Sequence, residues 1–233
     1  SIAGTTKRIK REEACDLAFN FKQMIADRHE YARAWKKRTG GKVLGYFETY
    51  FPEELAYAAG ILPVRLLAEH EPDILSDKWI YASCYPVRYI TNQFLLGRLD
   101  YIDGLVHVEG CQWMFNAYEV ITNNNPHLFK HYLFLPDYKE SKTSKDVLRS
   151  ELEVFKKLLE EWTGNEITDE ALDEAIEIYN KNRFLLRRIC ELRRADRPVI
   201  LGSEYMNMML ANQVMDKAEM NVILEKFISE LES

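Results

Sequence analysis

Apolar side chains recur at helical spacing from about Ile9 to Lys37: Ala14, Leu17, Ala18, Phe21, Met24 and Ile25, then Tyr31, Ala34 and Trp35. That period predicts an amphipathic opening helix, stopped by Gly40-Gly41. The next stretch has a different rhythm. Val43–Phe47, Leu62–Leu66, Leu105–Val108 and Tyr132–Leu135 are short apolar runs, separated by helix-like stretches at Glu53–Ala59, Val87–Leu96 and Trp113–Thr122. Alternation of this kind predicts an α/β unit with a parallel sheet covered on both faces. Trp79–Ala82 reads as a further strand or an extended approach. After Pro136 the pattern is almost purely helical: Val147–Trp162, then Thr168–Arg194 with Thr168 as N-cap and Glu170 and Glu174 in the early turns, then one or two helices over Ser203–Leu231. The longest strand-like run there is Val199–Leu201, and polar Lys139–Lys145 is the expected linker. The organisation predicted is an N-terminal helical segment (1–40), an α/β domain (41–139) and a helical region (140–233).

With 47% hydrophobic residues, 29% charged residues, 10 Gly and 7 Pro, the 233-residue chain has a globular rather than disordered or fibrous composition. A net charge of -6 argues against nucleic acid as a partner, which would call for a basic field. Lys142–Lys157 mixes both signs and reads as a solvated helix face. No stretch approaches the roughly 20 apolar residues of a membrane span, and no secretion signal opens the chain, so no membrane association and a cytoplasmic location are expected. Four cysteines are too few for a disulfide scaffold of this length, which points any working thiol toward metal or catalysis.

Two of those cysteines are placed for chemistry. Cys111 follows the Leu105–Val108 run through Gly110, and Cys84 follows Trp79–Ala82 and precedes Pro86, a residue suited to a first helical turn. Ligands of open parallel sheets bind beyond the carboxyl strand ends, and helix N-termini favour thiolate, the species that ligates metal. Cys84 and Cys111 match no local ligand spacing such as C-x-x-C, so simple buried thiols remain an alternative. Cys15 and Cys190 lie in helix-patterned stretches and read as small core residues. Neither a G-x-x-x-x-G-K-[ST] nor a G-x-G-x-x-G loop is present, so the sequence offers no Gly-rich cradle for phosphates.

Several segments carry a family resemblance. Gly45-Tyr46-Phe47-Glu48-Thr49-Tyr50-Phe51-Pro52-Glu53-Glu54-Leu55, Ala58-Ala59-Gly60-Ile61-Leu62-Pro63-Val64-Arg65, Ser83-Cys84 and Gly97-Arg98-Leu99-Asp100-Tyr101-Ile102-Asp103-Gly104 resemble the benzoyl-CoA reductase and 2-hydroxyacyl-CoA dehydratase family. Gly110-Cys111-Gln112-Trp113-Met114-Phe115 and Phe134-Leu135-Pro136-Asp137-Tyr138 look most like a cluster-bearing catalytic subunit of ATP-dependent benzoyl-CoA reductase.

The resemblance implies a flavodoxin-like or Rossmann-like sheet domain and a [4Fe-4S] cluster held by three cysteines, with Cys84 and Cys111 at the first two positions. It places the third ligand in a second α/β domain nearer the C-terminus. Cys190 does not match it, so the third ligand is expected outside this chain, which reads as the first portion of a longer subunit. Implied partners are a related cluster-bearing subunit and an ATP- and Mg-dependent iron–sulfur activator, with ferredoxin upstream. The implied activity is that of an oxidoreductase acting on CH–CH groups, which dearomatises an aryl-CoA to a cyclohexadiene carbonyl-CoA in anaerobic aromatic degradation. Radical dehydration of a 2-hydroxyacyl-CoA and a non-catalytic scaffold are the alternatives.

Proton donors are then needed. Glu53 and Glu54, past Pro52, are candidates, or else ordinary acids complementing a helix dipole. His107 is another; alternation sends it and Glu109 to one face, and a structural role is the alternative. Trp113, Met114 and Phe115 are expected either to exclude water from an aryl pocket or to form a helix core face. Arg65, Arg88 and Arg98 are positional candidates for CoA phosphates, or else surface charges.

Overall fold

The computed structural model describes residues 20–70, 75–80, 82–136, 138, 140–194 and 200–232. The expectations for Cys15, Tyr81, Lys139 and Val199 lie outside them. The chain forms two compact units: one runs from Ala32 to Ala175, and the other joins residues up to Tyr31 with those from Ile176 onward.

Among the described residues the stretch expected as one opening helix holds two, α1 (Phe21–Ala26) and α2 (Arg28–Thr39); the part of that expectation before Asn20 lies outside them. The Asn20 side chain caps α1, accepting from the Gln23 N–H at 2.9 Å, and Asp27 closes it. Gly40 follows α2 with φ 70°, the left-handed geometry glycine adopts freely. Gly41 allows close packing: a Cβ there would stand 2.7 Å from the Trp35 ring and 2.8 Å from the Gly60 carbonyl.

The α/β unit contains β1 (Lys42–Tyr46), α3 (Glu53–Ala58), β2 (Ile61–Arg65), α4 (Asp77–Ile80), α5 (Tyr85–Leu95), β3 (Gly104–Val108), α6 (Gln112–Asn124), β4 (Phe129–Leu133) and α7 (Lys142–Thr163). The strands form one parallel sheet in the order β2-β1-β3-β4, so the α/β expectation holds. β3 is buried along its whole length, which is why it reads as an unbroken apolar run. Leu44, Tyr46, Val106, Val108 and Leu133 face α3 and α7 in a core around Phe155 and Leu159. Leu105 and His107 point to the opposite face, where α6 packs on β3 and against α5.

Three local expectations are corrected. Trp79–Ala82 is not a strand: α4 is a helix ending at Ile80. β4 ends at Leu133, two residues short of Leu135, and starts at Phe129. The linker expected over Lys139–Lys145 is helical from Lys142, because Ser141 Oγ accepts from the Ser144 N–H at 3.0 Å and starts α7 early.

The helices α8 (Asp169–Leu192), α9 (Gly202–Asn212) and α10 (Lys217–Glu232) follow, with Thr168 capping α8 through its Oγ1 to the Ala171 N–H. The second unit is organised by polar contacts inside a helical core. Asn182 donates to Asn212 and Asn221 at 2.8 and 2.9 Å, and Phe21 meets Phe227 edge-on at 5.3 Å. Among the described residues no helix is long and apolar enough to cross a membrane.

Candidate functional site

The order β2-β1-β3-β4 reverses direction at β1: the chain leaves it to one side for β2 and returns on the other for β3. Beyond the carboxyl ends of β1 and β3 lies the crevice where open α/β sheets take their ligands. The side chains there come from the β1–α3 loop, the end of β3 and the start of α6.

Cys84 and Cys111 are the N-cap residues of α5 and α6, both extended, at φ -66°, ψ 154° and φ -97°, ψ 120°. Neither side chain makes a capping hydrogen bond, and both thiols are exposed, which removes the buried-thiol alternative. A cap position usually carries Ser, Thr, Asp or Asn, whose oxygen satisfies first-turn N–H groups. Cysteine at both caps leaves the positive helix ends without a side-chain oxygen from the cap residue. Pro86 sits in the first turn of α5, where its missing N–H costs nothing.

Beside Cys111 is a cleft of about 610 Å³ whose lining includes His107, Glu109, Phe115, Tyr118, Lys130 and Tyr132. His107 is 1% exposed and ringed by Tyr132, Phe115, Tyr118 and Phe47, with centroid separations of 5.6, 5.7, 5.9 and 6.2 Å. Burial pushes the Tyr118 phenol up to about 12. Burial, then the Glu109 carboxylate, raises Tyr132 above the usual phenol range. Glu109 also accepts from the Leu135 N–H at 3.2 Å, which ties the chain leaving β4 to the cleft.

Glu48, two residues past β1, enters the same crevice. Its Oε1 is 3.0 Å from His107 Nδ1, and its Oε2 lies 3.4 Å from the Val108 N–H. Glu48 falls inside one of the segments that carry the resemblance, yet nothing in the local pattern singles it out. A lone acid past a strand end has no periodic signal; only its place beside the topological reversal could have marked it.

The remaining candidates are dispersed. Glu53 hydrogen-bonds the buried Tyr46 hydroxyl, whose pKa is raised by burial and then by that carboxylate. Tyr46 belongs to the α3–α7 face, opposite His107. Glu54 is half-buried in the first turn of α3. Trp113 lines a second cleft, of about 450 Å³, together with Trp79, whereas Phe115 lines the first; the aromatic run at the start of α6 is divided between them. Arg88 is held by Asp77 at 2.6 Å, and Arg65 Nε donates to the Phe47 carbonyl. Cys190 is half-buried and hydrogen-bonded with Tyr205.

The donor set fits an iron–sulfur cluster in part. Two exposed sulfurs at uncapped helix ends suit an anionic cluster bound through thiolates, but no group of three or more His, Cys, Asp or Glu suited to holding a metal occurs among the described residues. The described residues thus offer two candidate thiolates and not a complete ligand set.

Parallel-sheet topology and this crevice define the class, and comparison with known proteins defines the family. Residues 48–233 match the family described as 2-hydroxyglutaryl-CoA dehydratase, D-component, and the chain belongs to that family. It is 26% identical to one of the subunits of benzoyl-CoA reductase from Thauera aromatica, over 85% of this chain and 52% of the relative. It is 29% identical to the beta subunit of (R)-2-hydroxyglutaryl-CoA dehydratase from Acidaminococcus fermentans, over 84% and 52%. With the (R)-phenyllactyl-CoA dehydratase beta subunit of Clostridium sporogenes it shares 25% identity, over 94% and 59%. The chain spans little more than half the length of these relatives.

Proposed function

We propose that this chain is a cluster-binding component of a hetero-oligomeric enzyme acting on a CoA thioester, and that its reaction is reduction of an aryl-CoA ring. The observation that carries the reading is the pair of cysteines at the caps of α5 and α6, both exposed and both forgoing the cap bond. Cys84 and Cys111 would supply two thiolates to a [4Fe-4S] cluster, with a third ligand from outside the described residues. When bound, such a cluster supplies electrons one at a time at low potential.

The chain's own groups do the rest. Phe115, Tyr118 and Tyr132 wall the cleft beside Cys111 and exclude water from a flat acyl group. His107, buried among those rings, moves protons to and from the bound thioester; Glu53 and Glu54 stand further off, on the α3 side. The paired related subunit, the ATP-hydrolysing activator and a ferredoxin source belong to this proposal, as does an anaerobic, cytoplasmic setting. A second reading, radical dehydration of a 2-hydroxyacyl-CoA, is favoured by the family description and by the names of two of the three relatives.

The test is iron, acid-labile sulfide and EPR of the reduced state on the native complex containing this chain, purified without oxygen. About four irons for the cluster on this subunit are expected, lost in Cys84→Ala and Cys111→Ala with the fold retained. Unchanged iron in either variant overturns the ligand assignment. Ring reduction of benzoyl-CoA, against water loss from a 2-hydroxyacyl-CoA, then decides between the two reactions.

A further inference from the structure

We infer that Glu48 is a positioning residue that holds His107 in one tautomer, with the proton on Nδ1 and Nε2 left as the nitrogen that serves the cleft. The inference rests on the reading of His107 as a proton carrier. Its physical basis is the fork between β1 and β3.

The two strands pair from Leu44↔Gly104 to Tyr46↔Val106, and past Tyr46 the β1 chain leaves the ladder. The Val108 N–H, on a fully buried residue, then faces the Glu48 side chain at 3.4 Å. The other carboxylate oxygen, Oε1, stands 3.0 Å from His107 Nδ1. The approach is off the hydrogen-bond line, so neither Oε1 nor Nδ1 completes a directed hydrogen bond, with each other or with any other described group, and both are inaccessible to solvent. Two buried polar atoms whose close polar neighbour is each other are costly unless one donates. An ionised carboxylate only accepts, so the proton belongs on Nδ1. The ring is confined by Phe47, Phe115, Tyr118 and Tyr132, which leaves it little room to turn over.

This arrangement resembles the general case in which an imidazole's second nitrogen is oriented by a carboxylate. A proton taken up from the substrate at Nε2 makes the imidazolium beside Glu48, and returning it to substrate restores the neutral ring. Glu48 keeps its own charge throughout. It touches no substrate and acts through His107.

Glu48→Gln is the discriminating substitution because it keeps size and shape. Its amide oxygen still accepts from the Val108 N–H, while its amide NH₂ faces Nδ1 and requires that nitrogen to accept. The variant is therefore expected to move the proton from Nδ1 to Nε2, read by ¹⁵N NMR of the His107 ring in the full chain. His107→Asn identifies the signal, and a far-UV and thermal comparison establishes that the fold is kept. In the native complex the same variant lowers kcat roughly 10- to 100-fold, as expected when an orienting partner is lost, with KM moved far less. A proton on Nε2 in the unsubstituted chain, the same tautomer in both forms, or an unchanged kcat overturns the inference. The NMR reading needs no cluster, so absence of iron from the complex would sink the proposed function while leaving the tautomer result standing.

Discussion

Asp103 ties three strand starts together, and removing its side chain tests whether that tie is a hydrogen bond or a charge. Its main-chain N–H donates to the Val43 carbonyl at 2.9 Å, and its carbonyl accepts from the Phe129 N–H at 3.0 Å. One carboxylate oxygen accepts from the Val43 N–H at 2.9 Å, and the other meets Lys36 Nζ at 2.6 Å. Val43 is fully buried, so losing its acceptor strands a buried donor at a cost of about 1–3 kcal/mol. The Lys36 and Asp103 side chains are 36% and 25% exposed, which limits the ion pair to about 0.2–1 kcal/mol. Asp103→Ala is therefore expected to cost roughly 1–4 kcal/mol, whereas Asp103→Asn, whose amide oxygen still accepts from Val43, costs at most about 1 kcal/mol. The four tryptophans, Trp35, Trp79, Trp113 and Trp162, all lie between Ala32 and Ala175, so urea unfolding followed by tryptophan fluorescence reads this unit directly. Equal losses in the two variants would show that the charge carries the tie; no loss in either would refute the reasoning altogether.

Replacing Cys84 or Cys111 with Ser supplies the missing cap oxygen, so the fold should gain on the order of 0.5–1 kcal/mol while the native complex loses iron; lower stability, or iron retained, contradicts the account of these caps. His131 stacks on Phe155 at 4.9 Å, and burial lowers its pKa against a smaller opposing pull from Glu151. The unfolded chain then binds the proton first as pH falls, so this contribution is complete above about pH 6.5 and is lost as pH falls toward the folded pKa. His131→Phe keeps the stack and should shrink the drop in urea midpoint between about pH 7.5 and about pH 5.5; an unchanged drop refutes it.

Much of the α/β unit was legible because its strands are short and buried on both faces. β1, β2 and β3 each lie within a residue of the apolar runs that predicted them. β4 was less legible: Lys130 and Tyr132 face the cleft and solvent while Phe129 and His131 pack on Trp162 and Phe155, so the apolar run alone misplaced its ends. The early start of α7 at Lys142 came from the capping side chain of Ser141, and the break at Asp27 from a backbone N–H turned to the Gln23 and Ile25 carbonyls; neither alters hydrophobic periodicity.

The family was readable from the segments that resemble it, and the place of Cys111 from a strand, Gly110, the cysteine and a helix contiguous in sequence; the run before Cys84 is the helix α4 instead. Whether those thiols were buried, which acids share a face with them and what stands behind His107 were not readable. Glu53 looked as well placed as any acid, yet it turns to Tyr46 on the opposite face of the sheet. Glu48 and His107 are far apart along the chain and meet only because β1 pairs with β3 in one register and then diverges past Tyr46. Local pattern determines elements, because periodicity and caps act over a few residues. Strand order and register decide the site, because they alone choose which distant side chains share the crevice.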